Sequence, residues 1–134
     1  MSQKMEPGTA RWEVNGVSLP IDLEDADVME RYENAFAQMA DAEKSVPKDG
    51  KASVRIRAYC QMYRDLYDRI FGEGTSEKIF AGQPVSLAVY EDVYDSFLTC
   101  VREQTVHAAE RRAERISKYR PANREQKRAV KRKK

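Results

Sequence analysis

The stretch RWEVNGVSLPIDLEDADVMERYENAF, residues 11–36, decides the fold, because a hairpin signal is followed directly by the start of a helix. Apolar residues flank Asn15-Gly16, and Asn-Gly supplies the two positive-φ residues of a type I′ turn. Pro20 lacks a backbone N–H, which puts the second strand at an edge or near its end. The sequence therefore predicts an N-terminal β-hairpin. Such a hairpin must pack on helices or pair with another chain to be stable.

Directly after the hairpin, the pattern changes to that of a helix. Asp27 with Glu30 three residues later fits a capping box. Apolar side chains then recur at the spacing of one helical face, so the first helix should run from about residue 26 to about residue 45. The carboxylates of residues 22–27 lack the glycine and the closing Glu of a calcium loop. They fit a helix N-terminus, where they complement the helix dipole.

Three further helical segments follow the first helix. A break at residues 47–50 precedes a second apolar stripe, which ends at Gly72 as a C′ residue. A short helix is predicted over residues 75–80, and Ser86 is expected to cap a third long helix. The apolar faces of the second and third long helices carry Ile56, Tyr59, Cys60, Tyr63, Tyr67, Ile70 and Phe71, and then Leu87, Tyr90, Val93, Tyr94, Phe97 and Val101.

Charge divides the chain into two parts. The whole sequence has 24 Lys and Arg against 22 Asp and Glu, and residues 111–134 alone have 12 against 2, a net charge of +10. Residues 1–110 therefore have 12 against 20, a net charge of −8. Beyond Val106 the apolar stripe thins while helix propensity stays high. We therefore expect a helix that projects past the body, stops before Pro121 and gives way to a mobile basic tail.

Together these patterns predict a mainly α fold: an N-terminal β-hairpin followed by three principal helices plus one short helix, with a projecting C-terminal helix and a disordered basic tail. The predicted organisation is a flexible leader at residues 1–10, a hairpin and helical domain at 11–110, and a basic C-terminal extension at 111–134. No apolar run approaches the roughly 20 residues that span a bilayer, and the first 16 residues lack the apolar core of a signal peptide. We expect a cytoplasmic protein.

No set of residues in the sequence predicts catalysis, so we expect no enzyme activity, no cofactor and no metal site. His107 is the only histidine and has no candidate nucleophile near it, which favours a solvated surface position. The glycine-rich connection after the second helix lacks the Lys-Ser/Thr of a phosphate loop. Cys60 and Cys100 lie among apolar residues at helical spacing and are expected to be buried free thiols.

Two sets of residues are candidates for binding a partner. Core packing accounts for most tyrosines on the helix faces, and the alternative is that part of these faces binds a partner through Tyr59, Tyr63, Tyr67, Tyr90 and Tyr94. The second set is the basic arm: Arg111, Arg112, Arg115, Lys118, Arg120, Arg124, Lys127, Arg128, Lys131, Arg132, Lys133 and Lys134. The arm fits phosphate contacts with nucleic acid without sequence specificity, contact with an acidic protein, or a solubilising role.

Three short patterns carry a resemblance to a known family. They are Val14-Asn15-Gly16-Val17, the helix start DADVMERYE at residues 25–33, and FGEGTSEKIFAG at residues 71–82. In this order they resemble small, mostly uncharacterised proteins of tailed phages and prophages of Gram-positive bacteria, whose members resemble tail assembly chaperones. The resemblance covers roughly residues 12–105 and excludes the basic end.

The resemblance implies a non-enzymatic role in tail morphogenesis, in the cytoplasm of the host bacterium during virion assembly. Such a chaperone would bind the long helical tape-measure protein, keep it in solution and help recruit tail tube subunits. The hairpin edge would allow homo-oligomers, and the basic arm would be the candidate contact for the tube subunit. Two alternatives stay open: a nonspecific nucleic-acid-binding accessory protein that uses the basic arm, and a structural head–tail connector that forms closed rings.

Overall fold

The computed structural model describes residues 10–133, and it describes side chains for residues 10–119. Its elements are, in chain order, β1 (Arg11–Val14), β2 (Val17–Pro20), α1 (Ala26–Lys44), α2 (Ala52–Phe71), α3 (Thr75–Ile79) and α4 (Leu87–Lys133). The predicted fold class is confirmed, because the chain is mainly helical and begins with an antiparallel two-stranded hairpin. The predicted leader, residues 1–10, lies outside the described residues apart from Ala10.

The hairpin has the predicted turn. β1 and β2 pair in antiparallel register with Arg11 opposite Pro20. Asn15 and Gly16 have φ values of 51° and 77°, the positive values that a type I′ turn requires. Pro20 lies at the last position of β2, where its missing N–H disturbs the ladder least.

The hairpin is held on the helices by the side chains of Trp12 and Asn15. Trp12 is 2% exposed, its ring centroid lies 5.0 Å from that of Phe97, and its indole N–H donates to Ser96 Oγ at 3.0 Å. The Asn15 side-chain amide donates to the backbone oxygen of Ile79 at 2.8 Å. A two-stranded hairpin is marginal alone, and here the buried indole supplies the apolar packing that it needs.

The first helix begins at Ala26, as predicted, but its N-cap lies two residues before the one that the capping box predicts. Asp25, not Asp27, is the N-cap: its backbone is extended, and its carboxylate accepts from the backbone N–H groups of Asp27 at 2.9 Å and Val28 at 3.3 Å. Asp27 is already helical and lies in the first turn, where its charge faces the positive end of the helix dipole. The predicted role of these carboxylates is confirmed, and the identity of the cap is corrected.

The predicted connection between the second and third long helices is also found. Gly72 follows the last residue of α2 with φ of 118°, a conformation that favours glycine. The next helix, α3, is tied to α2 because the Asp68 carboxylate accepts from the backbone N–H of Ser76 at 2.8 Å and from its hydroxyl at 3.1 Å. This bidentate contact fixes a five-residue helix that could not persist alone.

The last helix is longer than predicted. Ser86 caps α4 as expected, since its hydroxyl accepts from the backbone N–H of Val89 at 3.4 Å. The predicted stop before Pro121, and the disordered tail after it, are not found, because α4 continues to Lys133. Proline removes one helical hydrogen bond, but the Ala, Arg, Gln, Glu and Lys residues around it are strong helix formers.

The described residues divide between two compact units, residues 1–101 and residues 102–134, with α4 contributing to both. The core of the first unit is dominated by rings. Its most deeply buried large side chains are Trp12, Ile21, Leu66, Tyr67, Ile70, Ile79, Phe80, Tyr90 and Phe97. Within residues 10–133, no helix combines the length and the apolar character that crossing a membrane requires.

Candidate partner-binding surface

The five candidate tyrosines lie at different depths. Tyr67 and Tyr90 have no exposed surface, and Tyr63 is 8% exposed. Tyr59 and Tyr94 are half-buried and pack against the core with part of each ring at the surface. The structure therefore leaves Tyr59 and Tyr94 able to contact a partner, and it puts the other three rings into the core.

Tyr90 belongs to a closely packed group between α2 and α4. Its ring stacks on that of Phe80, with the planes 2° apart and the centroids separated by 3.8 Å. The Arg64 guanidinium donates from Nε to the Tyr90 hydroxyl at 2.9 Å and lies 5.5 Å from the Phe80 ring centroid. This guanidinium satisfies a hydroxyl that burial would otherwise leave without a partner, so the group is structural.

The hydroxyl of Tyr67 differs from that of Tyr90. The Tyr67 ring lies in edge contact with Phe97, 5.8 Å between centroids, and 5.4 Å from Trp12. Among the residues whose side chains are described, nothing forms a hydrogen bond with its hydroxyl, which is fully buried. Burial raises the pKa of this phenol far above its ordinary value, so it stays neutral and cannot act as a base.

A continuous set of rings reaches the surface where α1 and α4 come together. Phe36 lies 4.8 Å from Tyr32 and 6.4 Å from Tyr94 between ring centroids, and all three rings are half-buried. Leu98, one turn after Tyr94 on α4, is 36% exposed. We call Tyr32, Phe36, Tyr94 and Leu98 the aromatic face.

Acidic side chains surround the aromatic face. Glu91 and Asp95 lie one turn apart on α4, Glu43 lies near the end of α1, and all three are exposed. These charges act on the rings: burial first, and then the charges of Tyr32, Glu43 and Asp95, raises the pKa of Tyr94. Beneath the face, burial together with Glu91 and other acidic groups raises the pKa of Tyr63 to about 12. The face is thus apolar in its centre and anionic at its edge.

The acidic character of the body is concentrated next to this face. Residues 22–43, which form most of α1 and its approach, contain eight Asp and Glu and a single basic residue, Arg31. The Arg31 guanidinium donates to the backbone oxygen of Ile70 at 3.3 Å and so links α1 to α2. The net charge of residues 22–43 is therefore −7, close to the −8 of residues 1–110 as a whole, and α1 itself has five acidic and two basic residues.

Sequence reasoning found only part of this surface. The predicted set contains Tyr94 but omits Tyr32, Phe36 and Leu98. Leu98 carried a usable signal, because it lies four residues after Tyr94 and three before Val101 and therefore continues the apolar spacing of α4, next to the buried Phe97. An apolar residue beside a buried stripe lies at the edge of the core, where it is available for contact.

The basic arm is described in part. Arg111, Arg112, Arg115 and Lys118 are exposed residues of α4. The other eight basic residues of the arm lie beyond the residues whose side chains are described: Arg120, Arg124, Lys127, Arg128, Lys131, Arg132, Lys133 and Lys134.

The cysteines and the histidine are the other residues that the sequence analysis considered as reactive groups or metal ligands. Cys60 and Cys100 are both thiols rather than halves of a disulfide. Cys60 is buried as predicted, whereas Cys100 is only half-buried, so its predicted burial is wrong. His107 is exposed on α4, as predicted. In the part of the chain that the structure describes, no three His, Cys, Asp or Glu side chains are grouped to hold a metal ion.

The chain was compared with protein families, with proteins of curated function and with solved structures, and a family model matches it. No protein of curated function and no solved structure matches the chain. Residues 15–131, which include the hairpin turn, the aromatic face and most of the basic arm, match the model of a family of unknown function. The chain therefore belongs to this family, DUF6673.

Proposed function

We propose that this protein is a non-enzymatic tail assembly chaperone of a tailed phage or prophage, which binds the long helical tape-measure protein and helps recruit tail tube subunits. The proposal combines the resemblance of the three sequence patterns with one structural observation. That observation is the aromatic face, in which three half-buried rings and Leu98 form an apolar surface with an anionic edge.

The aromatic face suits one kind of client. Half-buried rings give a large contact area at low cost in side-chain entropy, and a helix can insert apolar residues between them. The carboxylates at the edge favour Lys or Arg beside the client's apolar stripe and disfavour acidic helices. The client chemistry that this face supports is therefore an amphipathic helix with basic flanks, of which a tape-measure protein would offer many copies.

The test is co-expression of the full chain with the tape-measure and tube proteins encoded beside it, followed by affinity capture and mass spectrometry. The lysate is treated with nuclease, and the captured complex is washed at high salt. We expect the tape-measure protein to remain after both treatments, because the contact is largely apolar. Capture of nucleic acid alone, lost in salt, would instead indicate that the basic arm is the functional element and would contradict the chaperone proposal.

Variants in the full chain locate the contact. Leu98→Glu puts a charge among the apolar side chains of the aromatic face, one turn from Tyr94, and we expect at least a tenfold loss of captured client, the effect of about 1.4 kcal/mol. Val54→Glu is the matched control, because Val54 is 49% exposed on α2, outside the aromatic face. Equal client capture by both variants would rule out the aromatic face as the binding site.

A further inference from the structure

An exposed apolar ridge runs along α4 into the start of the basic arm. Val106, Ala109, Ala113 and Ile116 follow one another at steps of three, four and three residues, which places them on one stripe of α4. Val106 is 50% exposed and Ile116 is 49% exposed, and the two alanines are exposed as well. We call these four residues the arm ridge.

The arm ridge has the chemistry that the aromatic face selects. In sequence, Arg102 precedes the ridge by four residues and Arg120 follows it by four, so basic positions continue the same helical stripe at both ends. The ridge overlaps residues 111–134, whose net charge is +10, and the carboxylates of Glu43, Glu91 and Asp95 lie at the edge of the aromatic face. An amphipathic basic helix and an acid-edged apolar face are complementary in both charge and hydrophobicity.

We infer that the arm ridge of one copy docks on the aromatic face of a second copy of this chain. The contact is heterologous, because two different surfaces meet, so each docked copy still offers one free face and one free ridge. Self-association therefore continues beyond a dimer. The inference concerns the face that the proposed function assigns to the client, but it requires no client and is tested without one.

This docking would regulate the same face. A client helix and the arm ridge would compete for Tyr94, Leu98 and the acidic edge, so a free protein would cover its own binding surface in trans. A client with a longer or more apolar stripe would displace the arm and leave the displaced basic segment available to another partner. In the self-docked state, the aromatic face and the arm ridge cover each other and are not exposed to solvent.

The experiment is sedimentation of nuclease-treated full-length protein, alone and as mixed variants. In the face variant, Glu91→Lys and Asp95→Lys reverse the edge charge; in the arm variant, Val106→Ser and Ile116→Ser remove the ridge. We expect wild-type protein to associate increasingly with concentration. The association should weaken as salt is raised, because the arm ridge is short, two of its four residues are alanines, and its docking depends more on charge than that of a longer client stripe. Each variant alone should associate at least about tenfold more weakly, because one loses charge complementarity and the other loses apolar contact.

Mixing the two variants gives the decisive result. The intact arm of the face variant can dock on the intact face of the arm variant, and neither chain can extend the contact, so the mixture should form a 1:1 heterodimer and nothing larger. Val54→Ser is the control and should associate like wild type. Circular dichroism verifies that each variant is folded, and Leu98→Ser, a milder change of the aromatic face, replaces any face variant that is not.

Three results would overturn the inference. They are wild-type protein that stays monomeric at every concentration, association that requires added nucleic acid, and a mixture of folded variants that does not form the heterodimer. Because no client is present, these results bear on self-docking alone. A loss of client capture by Leu98→Glu with no self-association would instead leave the chaperone proposal supported and this inference rejected.

Discussion

At the scale of single residues, two buried tyrosines make opposite contributions through their hydroxyl groups. The Tyr90 hydroxyl accepts a hydrogen bond from Arg64 Nε at 2.9 Å, whereas the Tyr67 hydroxyl is buried without a partner among the described side chains. A buried polar group without a hydrogen bond loses its interactions with water and gains nothing in return. The two rings are equally buried, so they form a matched pair for mutation.

We expect Tyr67→Phe to leave the free energy of unfolding unchanged or to raise it by about 1 kcal/mol, since it removes an unsatisfied group and keeps the ring. Tyr90→Phe should lower the free energy of unfolding by about 1–2 kcal/mol, because the Arg64 guanidinium loses the hydroxyl that accepts its hydrogen bond. Urea unfolding followed by tryptophan fluorescence measures both, with Trp12 as the reporter. A larger loss for Tyr67→Phe than for Tyr90→Phe would contradict the assignment of the Tyr67 hydroxyl as a group without a hydrogen bond.

At the scale of elements, the start of α1 shows how a cap is chosen. Asp25 and Asp27 have the same side chain, but only Asp25 has the extended backbone that turns its carboxylate back onto the N–H groups of the first turn. Asp27 contributes only its charge near the helix end. The capping-box pattern selects Asp27 because Glu30 follows it by three residues, whereas Val28 follows Asp25 at that spacing. The extended backbone that makes Asp25 the cap is not part of that pattern.

We expect Asp25→Ala to destabilise the protein by about 1 kcal/mol, the usual cost of losing an N-cap. Asp27→Ala should cost at most about 0.5 kcal/mol, because it weakens a charge–dipole interaction at an exposed position. Thermal unfolding of both variants at low ionic strength, followed by circular dichroism, provides the comparison. If the two substitutions have equal effects, Asp25 is not the cap in solution.

At the scale of the whole molecule, stability depends on keeping several phenols neutral. Burial raises the pKa of Tyr32, Tyr63, Tyr67 and Tyr94 above the ordinary value of 10.0, and nearby acidic groups add to the effect at Tyr63 and Tyr94. The folded state therefore binds protons more tightly than the unfolded state at these sites. The stability that they contribute is fully present below pH 10 and is lost as the pH rises through the folded-state pKa values.

We expect the melting temperature to fall progressively as the pH rises from 10 to about 12, the pKa of Tyr63 in the folded protein. Tyr63→Phe should make this fall less steep, because it removes one of the linked ionisations. Tyr119→Phe is the control, since Tyr119 is 71% exposed. Identical pH profiles for both variants would contradict the link between Tyr63 burial and alkaline unfolding.

Local sequence patterns are sufficient to predict the elements and their order. Asn15-Gly16 sets the hairpin turn, Gly72 ends α2, and Ser86 caps α4, because positive-φ turns and helix caps depend on residues close together in the chain. The charge division is likewise a property of the sequence. The predicted end of the last helix before Pro121 is wrong, because the many helix-forming residues around this proline outweigh its effect.

Helix packing, which local patterns do not encode, sets which rings form the core and which reach the surface. Periodicity places Tyr67, Tyr90 and Tyr94 on apolar helix faces. How much of each ring stays exposed depends on which neighbouring elements pack against it. The aromatic face joins Phe36 of α1 to Tyr94 of α4, residues that are 58 positions apart in the sequence. Local spacing contains no information about contacts of that range, because they arise from the packing of one helix against another.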